Sequence, residues 1–368
     1  MFFVAFVAKI VMKTLVVKIG TSTLVRDGEI SQSFIGDLAR QIAFLREEHW
    51  RVAIVSSGAV RAGLNIIGRE KANSLVEKQA AAAIGQSLLM REYRVALAEH
   101  NLHVAQILLT RADVSDRRRF LNARHTFEQL FDWGVVPVVN ENDTVSTEEI
   151  RVGDNDTLAA LTALVAQADK VLLLSDIDGF YLPNRAAPES EIGEITPEIV
   201  KAAGGAGSVG GTGGMKTKLD AARIATDAGV ELVIASGRAP DVAVRVARAE
   251  LIGTRFTAPK RLNARKSWIA HGRAVEGTLI LNPRARAALV ERGASVLPIG
   301  IERVEGEFAA GALVRVRDEI GEIGRGLCAF SSDELTRIAG HKSEELRAIL
   351  GRDAATAAVH RDNLSLSL

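Results

Sequence analysis

The stretch GMKTKLDAARIATDAGVELVIASG, residues 214–237, sets a glycine-led helix directly before an apolar strand. From Gly214 the pattern turns helical, with Leu219, Ala222 and Ala225 spaced for one buried side and Gly229 placed to cap the C-terminus. ELVIASG then runs apolar without alternation and ends in small, polar residues, the form of a strand covered on both faces of a parallel sheet. Upstream, TLVVKIG, RVAIVSSG, HVAQILLT, VVPVVNEND and KVLLLSD repeat this type. Helical patterns fill the intervals, at 31–49 (Ser31 as cap, with Phe34, Leu38, Ile42 and Leu45 on one stripe) and around 77–99, 116–133 and 156–168. Strands alternating with helices predict a layered α/β/α domain with a mainly parallel central sheet over residues 13–256.

Lys18–Thr21, Ser56–Gly58, Asn140–Thr144, Ser175–Gly179 and Ser236–Gly237 each stand where a strand should end. Open parallel sheets bind ligands outside those ends, so one crevice can collect all five groups. Seven of the eleven residues from Gly204 to Gly214 are glycine. A flexible linker is the plain alternative, but glycines leading into a helix present free amides and a positive dipole end, which suit an anion. The pattern is not the common P-loop: Lys216 and Thr217 could supply its final pair, but Met215 stands where that loop requires glycine.

After residue 256 the texture changes. The stretch from 257 to 275 holds Lys260, Arg261, Arg265, Lys266 and Arg273 and reads as a linker, and 276–368 reads as a compact strand-rich domain carrying GTLILN, ASVLPIGIERVEGEF, GALVRVRD and GRGLCAFS, then a helix in SEELRAIL. Residues 1–12 read as an N-terminal extension without the form of a signal peptide, and Met12 is a candidate translation start.

Composition narrows the function. The 47% hydrophobic and 25% charged fractions are those of an ordinary globular chain. A net charge of +1 gives no global attraction to nucleic acid or anionic lipid. Residues 257–368 carry 17 Lys and Arg against 14 Asp and Glu, a poor footprint for RNA. A single cysteine, Cys328, fits a reducing cytoplasm. His100 and His103 lack further ligands and read as turn residues, and SDRRRF at 115–120 reads as a solvated or subunit-facing helix surface.

Several ordered motifs carry a resemblance. VVKIGTS, SSGAV, LLTRAD, RFLNAR, VPVVNENDTV, VGDNDTL, GTGGMKTKL, RKSWI and RIAGHKSEELRAILG, spread from Met12 to about Asn363, make the chain similar to the glutamate 5-kinase family, of the amino acid kinase fold with a C-terminal PUA-like domain. The resemblance implies transfer of the ATP γ-phosphoryl to the side-chain carboxylate of L-glutamate, the first step of proline biosynthesis. It implies Lys18 and Lys218 as catalytic cations, held by Asp156. Ser57, Asp143 and Asn155 match the substrate positions; Asn140, Glu141 and Asn142 lie near, and Asp154 fits a helix cap. The nucleotide falls to Gly20, Ser175, Asp176, Thr212, Gly213, Gly214, Met215, Lys216, Thr217 and Lys218, with Lys216 equally readable as a solvent-facing lysine. Magnesium is expected to arrive bound to ATP. The resemblance further implies proline as a feedback inhibitor and a homo-oligomer, dimer or tetramer; PUA-like modules elsewhere often contact RNA, but the charge balance argues against a nucleic-acid or membrane partner.

Overall fold

The computed structural model describes residues 12–26, 29–146, 155–204, 214–258, 275–353 and 355–366. Two compact units are present, one formed by residues up to 111 together with 120–259, the other by 260–368 with the segment 112–119.

The strands of the first unit run in chain order as β1 Lys13–Ile19, β2 Val25–Arg26, β3 Glu29–Ile30, β4 Trp50–Ser56, β5 Val104–Leu109, β6 Val136–Glu141, β7 Lys170–Ser175, β8 Glu191–Ile192, β9 Glu231–Ser236 and β10 Thr254–Phe256. Its helices, with the segment 112–119 taken in chain order, are α1 Thr21–Leu24, α2 Gln32–Glu47, α3 Ala59–Ile66, α4 Leu75–Ala98, α5 Arg111–Ser115, α6 Arg117–Asp132, α7 Asn155–Val165, α8 Pro197–Ala202, α9 Met215–Asp227 and α10 Val242–Ala247. Eight strands form one sheet in the order β5-β6-β4-β1-β7-β9-β10-β8, parallel from β5 through β9, with β10 antiparallel to β9.

This order places a switch point at β1. From β1 the chain builds outward to β4, β6 and β5, then returns to the other side of β1 for β7 and β9. Such reversals open a crevice at the carboxyl ends. Strand alternation then decides which side chains face which layer. Leu15, Val17 and Ile19 join the buried cluster formed with α2, α4 and α10, so Lys18 faces the opposite layer, where α7 and α9 pack. The same parity puts Ser56 and Asn140 on the α4 side, because Val52, Ile54, Val136 and Val138 belong to that cluster.

Local chemistry explains the helix ends. Ser31 Oγ accepts from Phe34 N at 3.4 Å and starts α2. Gly229, at φ 76°, ends α9: its amide donates to Thr226 O and that of Val230 to Ala225 O, a paired closure that leaves few free carbonyls. The structure corrects one expectation. HVAQILLT forms β5, the sheet edge, where several side chains are part-exposed, so a continuous apolar run there does not mark a doubly covered strand.

The second unit is a five-stranded sheet of β11 Gly277–Leu281, β12 Ile301–Glu305, β13 Leu313–Arg317, β14 Glu322–Cys328 and β15 Val359–Leu366, ordered β12-β11-β13-β14-β15. Leu279, Val314, Val316, Phe330, Leu335 and Val359 contribute to its own core. It is less purely β than its sequence suggested. Helices at Pro283–Arg292 and Ser332–Ile338 join the sheet, and the helix expected in SEELRAIL is limited to Leu346–Leu350.

Candidate active site

The centre of the first unit is a buried carboxylate shared by two lysines. Asp156, in the first turn of α7, is 0% exposed; Lys18 on β1 and Lys218 on α9 are 5% and 6% exposed. One carboxylate oxygen, Oδ1, pairs with Lys18 Nζ, and the other, Oδ2, accepts from Lys218 Nζ at 3.0 Å. Three elements from distant parts of the chain thus meet at one ion triad. Burial would make any of these charges costly alone, and pairing offsets that cost. Asp156 thus gathers two cations at the carboxyl end of the central strand.

Bare backbone adjoins the ammonium groups. Gly20 follows β1, and a Cβ there would lie 3.7 Å from Lys18 Nζ. Gly214 caps α9 without a side-chain hydrogen bond, so the first-turn amides of Met215, Lys216 and Thr217 lack helical acceptors. Thr217 Oγ1 donates to Gly214 O at 2.8 Å and lies 3.4 Å from Asp156 Oδ2. Lys216 is exposed while Lys218 is buried, as expected for positions about 200° apart on a helix. Thr212, Gly213 and Asp154 lie outside the described residues.

On the β6–β4 side of Lys18, polar groups interlock. Asn155 Nδ2 donates toward Ser57 Oγ at 2.8 Å, Ser56 O at 3.1 Å and Asn140 Oδ1 at 3.2 Å. Asn140 Oδ1 also accepts from Glu141 N at 2.9 Å, and Asn140 Nδ2 donates to Gln86 Oε1 on α4 at 2.8 Å. Below them Ser56 Oγ meets Tyr93 OH at 2.9 Å. Asp143, just past β6, is pushed up to about 6 by burial. Burial destabilises a lone carboxylate anion, and a cation placed beside it would reverse that shift.

On the β7–β9 side, Ser175 Oγ donates to Asp176 Oδ1 at 3.1 Å, Ser175 O accepts from Gly237 N at 2.8 Å, and Asp176 is exposed. Gly237 is required by close approach, since a Cβ there would lie 2.5 Å from Thr23 Cγ2 on α1. Lys18, Lys218 and Asp156 are therefore brought together directly, as are Ser57, Asn155 and Asn140. Ser175 and Asp176 stand on the neighbouring strand end. Gln86 was not singled out by sequence: it lies inside a long helix, and nothing local marks it.

The family model of the amino acid kinase family matches residues 13–236, and that of the PUA domain matches 277–350. Fold and site thus define an amino acid kinase with a PUA domain appended. A glutamate 5-kinase of Synechococcus sp. (strain JA-2-3B'a(2-13)) is 47% identical over 363 residues, covering 96% of this chain and 98% of the relative. One of Geobacter sulfurreducens is 47% identical over 364 residues, covering 96% and 97%. The structure of a Giardia carbamate kinase superposes with a TM-score of 0.50 at 17% identity, over 67% of this chain and 99% of that one, which speaks to fold alone. The chain belongs to the glutamate 5-kinase family.

Proposed function

We propose that the chain transfers the γ-phosphoryl group of ATP to the side-chain carboxylate of L-glutamate, forming L-glutamate 5-phosphate and ADP as the first step of proline biosynthesis. The observation that carries this reading is the Asp156 carboxylate holding Lys18 and Lys218 side by side at the sheet's switch point.

The chemistry asks little of a base. A glutamate side chain with a pKa of about 4.3 is already ionised at neutral pH, so its oxygen attacks phosphorus without losing a proton. The bond from the γ-phosphorus to the β–γ bridging oxygen breaks, and ADP leaves with that electron pair. The obstacle is repulsion between two anions, and fixed positive charge in a dry site counters it. Lys18 and Lys218 are assigned to the transferring group, and Asp156 fixes their spacing. Gly20, Thr212, Gly213, Gly214 and the first residues of α9, Met215, Lys216, Thr217 and Lys218, are assigned to the phosphates, with Ser175 and Asp176 toward the rest of the nucleotide.

The acceptor lies on the β6–β4 side. Asp143 pairs with the α-ammonium, while Ser57 and Asn155 address carboxylate. Among the described residues Asp143 has no cationic partner, and burial holds it above its ordinary range, as suits a carboxylate awaiting one. Among the described residues no cluster of three His, Cys, Asp or Glu side chains is assembled for a metal. Magnesium is assigned to the ATP phosphates, where phosphoryl transfer needs charge neutralised, and no step here is routed through it. The proposal extends to proline as an inhibitor, since its ammonium and carboxylate reproduce two of glutamate's charged groups, to a dimer or tetramer, and to a cytoplasmic location. Among the described residues no helix is long and apolar enough to cross a membrane.

A panel of acceptors decides the matter. With ATP and magnesium, L-glutamate should release ADP and yield a product trapped by hydroxylamine, while L-aspartate, N-acetyl-L-glutamate and carbamate should be poor. Preference for any of those three would overturn the proposal.

A further inference from the structure

We propose that Gln86 is a positioning residue that braces the hydrogen-bond network of the acceptor pocket, holding Asn140 in place and through it Asn155 and Ser57. The inference rests on the reading of the β6–β4 side as the glutamate pocket.

Direction in this network is fixed by groups that can act in only one way. The backbone amide of Glu141 can only donate, and it donates to the side chain of Asn140. The atom it reaches must therefore be Asn140 Oδ1, which forces Nδ2 to the other side, where it meets Gln86 at 2.8 Å. Gln86 must present its oxygen there, because an amide nitrogen would oppose donor to donor. The same logic passes to Asn155. Ser56 O and Asn140 Oδ1 can only accept, so the atom of Asn155 between them is Nδ2, and Ser57 Oγ accepts from it as well. The Ser57 hydroxyl hydrogen is left to donate outward, as an acceptor-only carboxylate requires.

Gln86 is itself held rigidly. Its helix α4 crosses α3 at backbone contact: a Cβ on Gly85 would lie 1.9 Å from Ala59 O, and one on Gly63 would lie 1.8 Å from Ala81 O. Gly85 is the neighbour of Gln86, and α3 begins two residues after Ser57. The crossing fixes Gln86 relative to Ser57, the serine at the far end of the network it braces. Gln86 is buried, and its Nε2 has no hydrogen-bond partner among the described residues. A buried amide that leaves its donor unmade is costly. Fold stability alone gives no reason to prefer it over an apolar residue of the same size, whereas the need for an oxygen at Asn140 does.

Without that oxygen Asn140 Nδ2 becomes a buried donor lacking an acceptor. Glu141 N and Asn155 Nδ2 still hold Oδ1 on its own side, so the amide cannot turn over to find a partner, and it shifts out of place instead. The test compares the unaltered enzyme with Gln86→Leu, which removes the acceptor at similar volume, and Gln86→Glu, which restores it. Gln86→Leu should raise KM for L-glutamate about tenfold or more, the scale of one lost hydrogen bond, with KM for ATP and the unfolding midpoint little changed. Gln86→Glu should recover most of the affinity. An unchanged KM in Gln86→Leu overturns the inference. So does a parallel loss in KM for ATP and in the unfolding midpoint by both variants, the pattern of a merely structural residue. If the unaltered enzyme fails to phosphorylate L-glutamate, the reading of the acceptor falls first, and a normal reaction with unresponsive variants isolates failure of the Gln86 role alone.

Discussion

Replacing Asp156 with Asn tests the ion triad at its centre. The substitution keeps the size and removes the charge, leaving Lys18 and Lys218 as buried ammonium groups with one amide oxygen between them. Breaking a buried ion pair by removing one partner costs about 3–5 kcal/mol. A domain of this size loses roughly 2–4 °C of unfolding midpoint per kcal/mol, so Asp156→Asn should fall by about 6–20 °C, nearer the lower end because the amide oxygen still accepts one hydrogen bond. Turnover should fall by about a hundredfold or more, because the lysines lose their fixed spacing and preorganised charge is worth that much. Thermal unfolding followed by circular dichroism and steady-state ADP release measure the two effects. A variant with its midpoint within about 2 °C of the parent and near-normal turnover would refute the claim that Asp156 organises the cations.

Lys18→Ala and Lys218→Ala should each lower turnover about a hundredfold in a folded protein, whereas Lys216→Ala, at an exposed position, should cost far less; ranking the three by ADP release checks the assignment. Asp143 should make glutamate binding pH-dependent. Its folded pKa lies at about 6, so below that value it is protonated and cannot pair with an ammonium; KM for L-glutamate should rise as pH falls through 6 and level off above it. Asp143→Asn should flatten that profile, and an unchanged profile would exclude Asp143 as its source. For stability the sign is opposite to that of a paired carboxylate: the unfolded chain ionises first, so this group's contribution favours folding below its usual range and is lost as pH rises toward 6. Gly63→Ala should destabilise the α3–α4 crossing by about 1–3 kcal/mol or more, since its Cβ would meet Ala81 O at 1.8 Å; chemical denaturation reads this directly.

Much of the first unit was legible because its signals are local. Apolar runs ended in polar turns, Ser31 capped α2, and Gly214 and Gly229 bracketed α9. The edge position of β5 was not legible, since a strand's neighbours are set by topology, which no short run encodes. In the second unit Asn282, Pro283 and Gly293 do frame a helix, Asn282 Oδ1 accepting from Ala285 N at 2.8 Å, but surrounding strand-like runs masked the signal. The site divides in the same way. Lysines and acids at strand ends could be nominated from residue type and resemblance, while Gln86 lies 54 residues from Asn140 in sequence and becomes visible only where the two helices and the strand converge.

A crystal structure with a non-hydrolysable ATP analogue and L-glutamate would probe the central idea most directly. Lys18 Nζ and Lys218 Nζ should each lie within hydrogen-bonding distance, about 3 Å, of the terminal phosphate, with the glutamate side-chain carboxylate facing that phosphate from the β6–β4 side. A terminal phosphate bound away from both ammonium groups, with the Asp156 triad closed and untouched, would contradict it.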